Sequence, residues 1–164
     1  MDVKVALLMG SDSDLERLRP CVDQLASLEI PCVARVLSAH RTPEAVVEFV
    51  RAADDVGVFV CAAGGAAHLA GVVAAHTLRP VIGVPMDNPP LGGLDALLAT
   101  VQMPGGIPVA SVAVGGGGPQ NAALFAARIL ALGDSNLSER LEVFRESMSE
   151  KVAAKDAHLR ELLG

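Results

Sequence analysis

Residues 3–14 read Val3-Lys4-Val5-Ala6-Leu7-Leu8-Met9-Gly10-Ser11-Asp12-Ser13-Asp14. The apolar run, broken only by Lys4, has the β-forming composition of a strand buried on both faces of a parallel sheet. Gly10 ends it, and Ser11 to Asp14 supply the capping groups that open a helix. Leu15, Leu18, Val22, Leu25 and Leu28 then recur at helical spacing over 14–28, until Pro31. A strand running through a Gly/Ser loop into an amphipathic helix is the repeating half of a βαβ fold.

The same unit recurs down the chain. Cys32–Leu37 predicts a second strand, followed by a helix from Pro43 to about Asp55 with Thr42 as N-cap and Gly57 as terminator. Val58–Ala62 predicts a third strand, Ala63-Gly64-Gly65 a tight turn, and 66–78 an Ala-rich helix closed by Pro80. Val81–Val84 is a fourth strand, Asn88-Pro89-Pro90 a loop, and Leu94–Val101 a helix. Val109–Val114 is a fifth strand, Gly115–Gly118 a loop, and Pro119–Leu132 a helix. From about Asn136 a last helix carries one apolar stripe (Leu137, Leu141, Phe144, Met148, Val152, Leu159, Leu162), read as an arm packing on its own domain and on a neighbouring subunit. Regular alternation predicts a three-layer α/β domain, flavodoxin-like, with a five-stranded parallel sheet in the order 2-1-3-4-5. The chain reads as a single domain, 1–164, with a core at 1–133 and a helical arm at 134–164.

Composition narrows the function. The 164 residues suit one domain, and 51% hydrophobic content excludes a disordered chain. Four Phe with no Tyr and no Trp leave a core of Ala, Val, Leu and Gly, unsuited to a mechanism built on aromatic stacking. A net charge of −6 with no basic run excludes a nucleic-acid footprint. A small anion needs only a few local cations and helix N-termini. The start, Met1-Asp2-Val3-Lys4, lacks the pattern of a signal peptide, and the most apolar stretch, 56–78, is interrupted by Gly64-Gly65 and His68, so neither membrane nor export is expected and the reading is cytosolic. Cys21, Cys32 and Cys61 have no metal-ligand spacing and read as reduced, mostly buried thiols. Residues 57–132 carry only four charges, Arg79, Asp87, Asp95 and Arg128. So little charge over so long a stretch predicts subunit contacts and a homo-oligomer.

In such a sheet ligands bind outside the carboxyl ends of the strands, so the residues there are the candidates. After strand 1, Gly10 allows close approach, Ser11 and Ser13 offer hydroxyls, and Asp14 can accept from sugar hydroxyls. After strand 2 come Ser38, Ala39, His40 and Arg41. Arginine suits bidentate phosphate binding, and imidazole gives and takes protons near neutrality. After strand 3, Gly64, Gly65, Ala66 and Ala67 are small enough to let a substrate or a CO2-sized group sit against backbone amides, and His68, in the first helical turn, reads equally as a site residue or as a buried structural one. His76 reads as structural and His158 as solvated. No metal-ligand spacing, nucleophile elbow or P-loop is present, and Gly115–Gly118 is as much a turn as a contact.

Five segments occur in order: Met9-Gly10-Ser11-Asp12-Ser13-Asp14, Ser38-Ala39-His40-Arg41-Thr42-Pro43, Ala63-Gly64-Gly65-Ala66-Ala67-His68-Leu69, Gly83-Val84-Pro85 and Val101-Gln102-Met103-Pro104. Together they resemble the N5-carboxyaminoimidazole ribonucleotide mutases of purine synthesis, the PurE family, over nearly the whole chain. The resemblance implies conversion of N5-carboxyaminoimidazole ribonucleotide to 4-carboxyaminoimidazole ribonucleotide without metal, ATP or organic cofactor. It implies that the carbamate loses CO2, which stays trapped until C4 attacks it. It matches His40 to the acid–base residue, Ser11, Ser13, Asp14 and Arg41 to substrate contacts (Arg41 with phosphate, Asp14 with ribose), and Ser38, Ala39, Gly64, Ala66, His68 and Leu69 to the walls around carboxylate and CO2. It further implies an octamer and a functional pairing with an ATP-dependent synthetase that makes the substrate. Gly118-Pro119-Gln120 departs from the family pattern and leaves that loop's detail open. The alternatives are direct carboxylation of aminoimidazole ribonucleotide with CO2, or a non-enzymatic flavodoxin-like ligand-binding or receiver module. A receiver needs Asp at the end of strand 3 and Lys at the end of strand 5, where this chain has Ala-Gly-Gly and Gly-Gly-Gly.

Overall fold

The computed structural model describes residues 4–164, so Val3, expected to open the first strand, lies outside the described residues. Five strands, β1 (Lys4–Met9), β2 (Cys32–Val36), β3 (Val56–Ala63), β4 (Val81–Pro85) and β5 (Ala110–Ser111), form one sheet in the order β2-β1-β3-β4-β5. Every pairing is parallel, as the alternating pattern predicts. The helices are α1 (Leu15–Ser27), α2 (Pro43–Ala52), α3 (Leu69–Ala74), α4 (Leu94–Val101), α5 (Gly118–Leu130) and α6 (Ser135–Leu163).

The period-2 alternation of each strand splits the core in two. Val5, Leu7 and Met9 face α1 and α5, meeting Leu18, Cys21 and Leu25 on one and Ala122, Ala123, Ala126 and Ala127 on the other. Ala6 and Leu8 face α2 and α3, meeting Val46, Val50, Leu69, Ala70 and Val73. Leu7 and Leu8 are fully buried, and truncating either to Ala removes about 2–5 kcal/mol. Small residues set the layer spacing. The four alanines of α5 are completely buried, and a Cβ on Gly83 of β4 would overlap Thr100 of α4. Lys4, the one charge in the first strand, reaches out to Asp55 at 2.6 Å, and this hydrogen bond holds the Asp55 carboxyl below its ordinary range.

Several boundaries differ from those read in the sequence. Asp12–Asp14 form a 3-10 turn before α1, capped by Ser11, whose hydroxyl accepts from the Ser13 N–H at 3.3 Å. Thr42 stands at the N-cap of α2 but makes no capping bond there. Its hydroxyl instead accepts from the Ser38 N–H at 3.0 Å and donates to the Ser38 carbonyl, closing the preceding loop. The helix expected over 66–78 shrinks to α3, because residues 64–68 are loop. The expected fifth strand shrinks to two paired residues, because β5 is an edge with only β4 to pair with. The terminal helix starts at Ser135, with Asp134 capping it through the Leu137 N–H at 3.0 Å. Of its stripe, Leu137 is buried and Leu141 packs against the core. Met148, Val152, Leu159 and Leu162 are exposed. Arg140 ties the arm to its own domain by donating to the Leu28 carbonyl at 2.9 Å.

Among the described residues, no helix is long and apolar enough to cross a membrane. The three cysteines are free thiols, as expected, and burial pushes Cys21 up to about 12 and Cys61 further up. Thiolate is the reactive form. A water-soluble thiol reagent at pH 8 is therefore expected to leave Cys21 and Cys61 unlabelled in the native protein and to modify all three cysteines in denaturant. Rapid native labelling of Cys21 or Cys61, read by mass spectrometry, would contradict this packing.

Candidate active site

The sheet order places a crevice at the carboxyl ends of β1 and β3. The chain leaves β1 toward the α1 face and leaves β3 toward the α3 face, so the two loops part. A cleft of about 400 Å³ opens there. Its lining takes Gly10, Ser11, Ser13 and Asp14 from the β1 loop, Ser38, Ala39, His40 and Arg41 from the β2 loop, and Gly64, His68 and Leu69 from the β3 loop. Ten of the eleven residues that the resemblance matched to the site thus meet in one place. Ala66 does not. It is exposed and does not line the cleft, whereas the buried Ala67 does. His68 stands at the cap position just before α3 rather than in its first turn, because the helix begins at Leu69.

The two histidines meet. His40 Nε2 lies 2.8 Å from His68 Nδ1, and the rings stand edge to face with centroids 4.8 Å apart. Such a contact needs one N–H and one lone pair, so the facing nitrogens hold a single proton between them. The β2 loop is built around Ser38 and presents His40 to His68 of the β3 loop. The Ser38 hydroxyl accepts from the Arg41 backbone N–H at 3.2 Å, while the Arg41 guanidinium donates to the Gly10 carbonyl at 2.8 Å. Arg41 therefore bridges the β2 and β1 loops through a neutral acceptor, and its charge stays directed at the cleft. On the β1 side the Ser11 and Ser13 hydroxyls lie 2.8 Å apart, and the Asp14 side chain is buried at 7% exposure.

Two further polar side chains line the cleft that sequence reasoning did not single out, Arg17 and Asn88. Arg17 donates to Asp14 Oδ1 at 2.6 Å and to Asn88 Oδ1 at 2.8 Å. The spacing of Arg17 three residues after Asp14 was a visible signal on a helix. That of Asn88 was only its place after strand 4. The Asn88 amide occupies the space a side chain on Gly64 would need, since a Cβ there would overlap Asn88 Nδ2. Among the described residues, no group of three or more His, Cys, Asp or Glu side chains is placed to hold a metal ion. The cleft thus offers an anion-directed guanidinium, a hydrogen-bonded histidine pair, a buried carboxylate and a wall of Gly and Ala backbone.

A family model described as AIR carboxylase matches residues 4–151. An N5-carboxyaminoimidazole ribonucleotide mutase of Mycobacterium tuberculosis is 48% identical over 163 residues, covering 98% of this chain and 92% of its own length. One from Brucella melitensis is 48% identical over 160 residues, covering 96% and 99%. Among solved structures, a PurE2 variant of Treponema denticola superposes with a TM-score of 0.88 at 31% identity, covering 97% of this chain and 99% of that one.

The Gly64–Asn88 contact makes a specific prediction. Gly64→Ala is expected to push Asn88 aside and narrow the cleft. The thermal midpoint should stay within a few degrees of the parent's, while turnover falls about 10- to 100-fold from misplaced groups. A Gly64→Ala variant with parental turnover would show that this wall is not close to the reacting atoms.

Proposed function

The chain belongs to the AIR carboxylase family, and on that premise we propose that it converts N5-carboxyaminoimidazole ribonucleotide to 4-carboxyaminoimidazole ribonucleotide, an isomerisation in purine biosynthesis. The observation that carries this reading is the 48% identity to mutases of that name over 98% of the chain. The cleft supplies groups suited to the reaction. Arg41 takes the phosphate, with the Ser11 and Ser13 hydroxyls nearby, and Asp14 accepts from the ribose. The carbamate C–N bond breaks to release CO2, and the nitrogen electron pair takes a proton. The ring carbon C4 then forms a C–C bond to the CO2 and loses its own proton. One proton is given and one taken back, so a single acid–base group serves both steps, and His40 fills that role with His68 as its hydrogen-bond partner. Ser38, Ala39, Gly64, Ala67 and Leu69 confine the CO2, which raises its effective concentration at C4 and keeps water away. None of these steps calls for a metal or an organic cofactor.

The unit at work is an oligomer in this proposal, an octamer by family resemblance, acting in the cytoplasm on a substrate made by an ATP-dependent synthetase. What supports assembly is the apolar surface of the charge-poor segment. Leu78, Leu91, Leu94, Leu98, Val101, Phe125 and Leu132 are all exposed in the single chain, and large apolar surface is what subunit contacts cover. A second, more apolar cleft of about 820 Å³, separate from the one that holds His40 and His68, includes Leu78, Ile107, Phe125 and Ile129. Analytical ultracentrifugation is expected to find an assembly several times the 16.8 kDa of one chain. A monomer at micromolar concentration would refute it.

Direct carboxylation of aminoimidazole ribonucleotide is the second reading, since the family description names that activity. Assay with each substrate decides between them. Turnover is expected with the N5-carboxylated nucleotide, and turnover confined to aminoimidazole ribonucleotide plus bicarbonate would overturn the mutase reading. His40→Asn should lower kcat by about 10²–10⁴-fold, the usual worth of a positioned acid–base group, with folding and assembly unchanged. Parental activity in that variant would remove His40 from the mechanism.

A further inference from the structure

Arg17 reaches from the start of α1 to a different strand-end loop and hydrogen-bonds carboxylate and amide partners there. It sits in the first turn of α1, with its side chain 38% exposed. One terminal nitrogen donates to Asp14 Oδ1 at 2.6 Å. The other donates to Asp87 Oδ1 at 3.0 Å and to Asn88 Oδ1 at 2.8 Å. Asp87 and Asn88 lie in the loop between β4 and α4, about seventy residues away along the chain. Both touch further loops. The Asn88 amide fills the space beside Gly64 in the β3 loop, and Asp87 Oδ2 would stand 3.0 Å from a Cβ on Gly115 in the β5 loop.

We propose that Arg17 is a positioning residue for this site. It fixes the carboxylate of Asp14 toward the nucleotide ribose and, through Asn88, sets the β3-loop wall that confines the CO2. This inference deepens the function proposed above and rests on it. The reasons are geometric. A planar guanidinium can serve both loops at once because its donors form a rigid fork, which an ammonium cannot match. Asp14 is buried and has one lone-pair set engaged by Arg17, which leaves the other oxygen to accept from a ligand. Asn88 cannot settle elsewhere without opening the space beside Gly64. Removing Arg17 releases both partners together, although it need not itself touch the substrate.

The experiment compares the parent protein with Arg17→Met, Arg17→Lys, Asp14→Asn and the Asp14→Asn/Arg17→Met double variant. Steady-state kinetics with N5-carboxyaminoimidazole ribonucleotide are read beside thermal unfolding. Arg17→Met is expected to fold and assemble as the parent does, to raise KM about 10-fold, and to lower kcat less than KM rises. Because Arg17 acts through Asp14 on the ribose, the double variant should have nearly the KM of Asp14→Asn alone, a non-additivity that a general loss of stability would not give. Arg17→Lys should recover only part of the loss. Parental KM in Arg17→Met, fully additive KM effects, or full rescue by Arg17→Lys would each overturn the assignment while leaving the proposed reaction standing. Absence of turnover in the parent protein would overturn the reaction itself, and the assignment with it.

Discussion

The site depends on one topological constraint. A parallel sheet in the order 2-1-3-4-5 forces the chain to leave β1 and β3 toward opposite faces. The loops after these strands cannot pack on each other, and the gap between them is the cleft. Each wall then inherits the chemistry of its own loop. The β1 loop brings hydroxyls and a buried carboxylate at the start of α1. The β3 loop brings Gly64 and Ala67, with His68 at the start of α3. The β2 loop lies beside both, which puts His40 within 2.8 Å of His68 and Arg41 within 2.8 Å of the Gly10 carbonyl. Three segments far apart in sequence become one site because the sheet order leaves them nowhere else to go.

Small side chains link this architecture to the chemistry. The buried alanines of α5 and the glycine at position 83 let helices sit close to the sheet. The same preference continues into the β3 loop, where Gly64 and Ala67 line the cleft without protruding side chains. A chain with four Phe, no Tyr and no Trp cannot fill such a cleft by stacking, so recognition falls to charge, hydrogen bonds and confinement.

The inner strands were legible because they are apolar runs that end near Gly or Pro, the parallel pairing followed from the alternation, and the order from the flavodoxin-like pattern of five strands. The loops bearing His40, Arg41 and Asp14 were legible because strand ends are where ligands must go. What failed was local. An Ala-rich stretch has high helix propensity throughout, so nothing in residues 66–78 announced that the first part would be held as loop. Ala66 and Ala67 are chemically identical, and only the turn of that loop decides which one faces the cleft. Thr42 carries the composition of a cap, yet its hydroxyl is taken by Ser38, a competition between loop and helix that composition does not rank. Arg17 could be seen next to Asp14, but its contacts with Asp87 and Asn88 exist only after β4 has been placed next to β3.

The two arginines of the cleft show why that long-range knowledge matters. By sequence both are cations near strand-end loops, equally fit to bind an anion. In the fold, Arg17 faces Asp14 and Asp87, two carboxylates at 2.6 and 3.0 Å, which neutralise it locally and fix its direction. Arg41 is held by a neutral carbonyl and the Ser38 hydroxyl, and among the described residues no carboxylate pairs with it. A charge paired inside the protein contributes little field to the cleft, whereas one held by neutral dipoles keeps nearly all of it. The difference follows from the partners: the charge of Arg41 stays open to the cleft, whereas that of Arg17 is taken up by Asp14, Asp87 and Asn88.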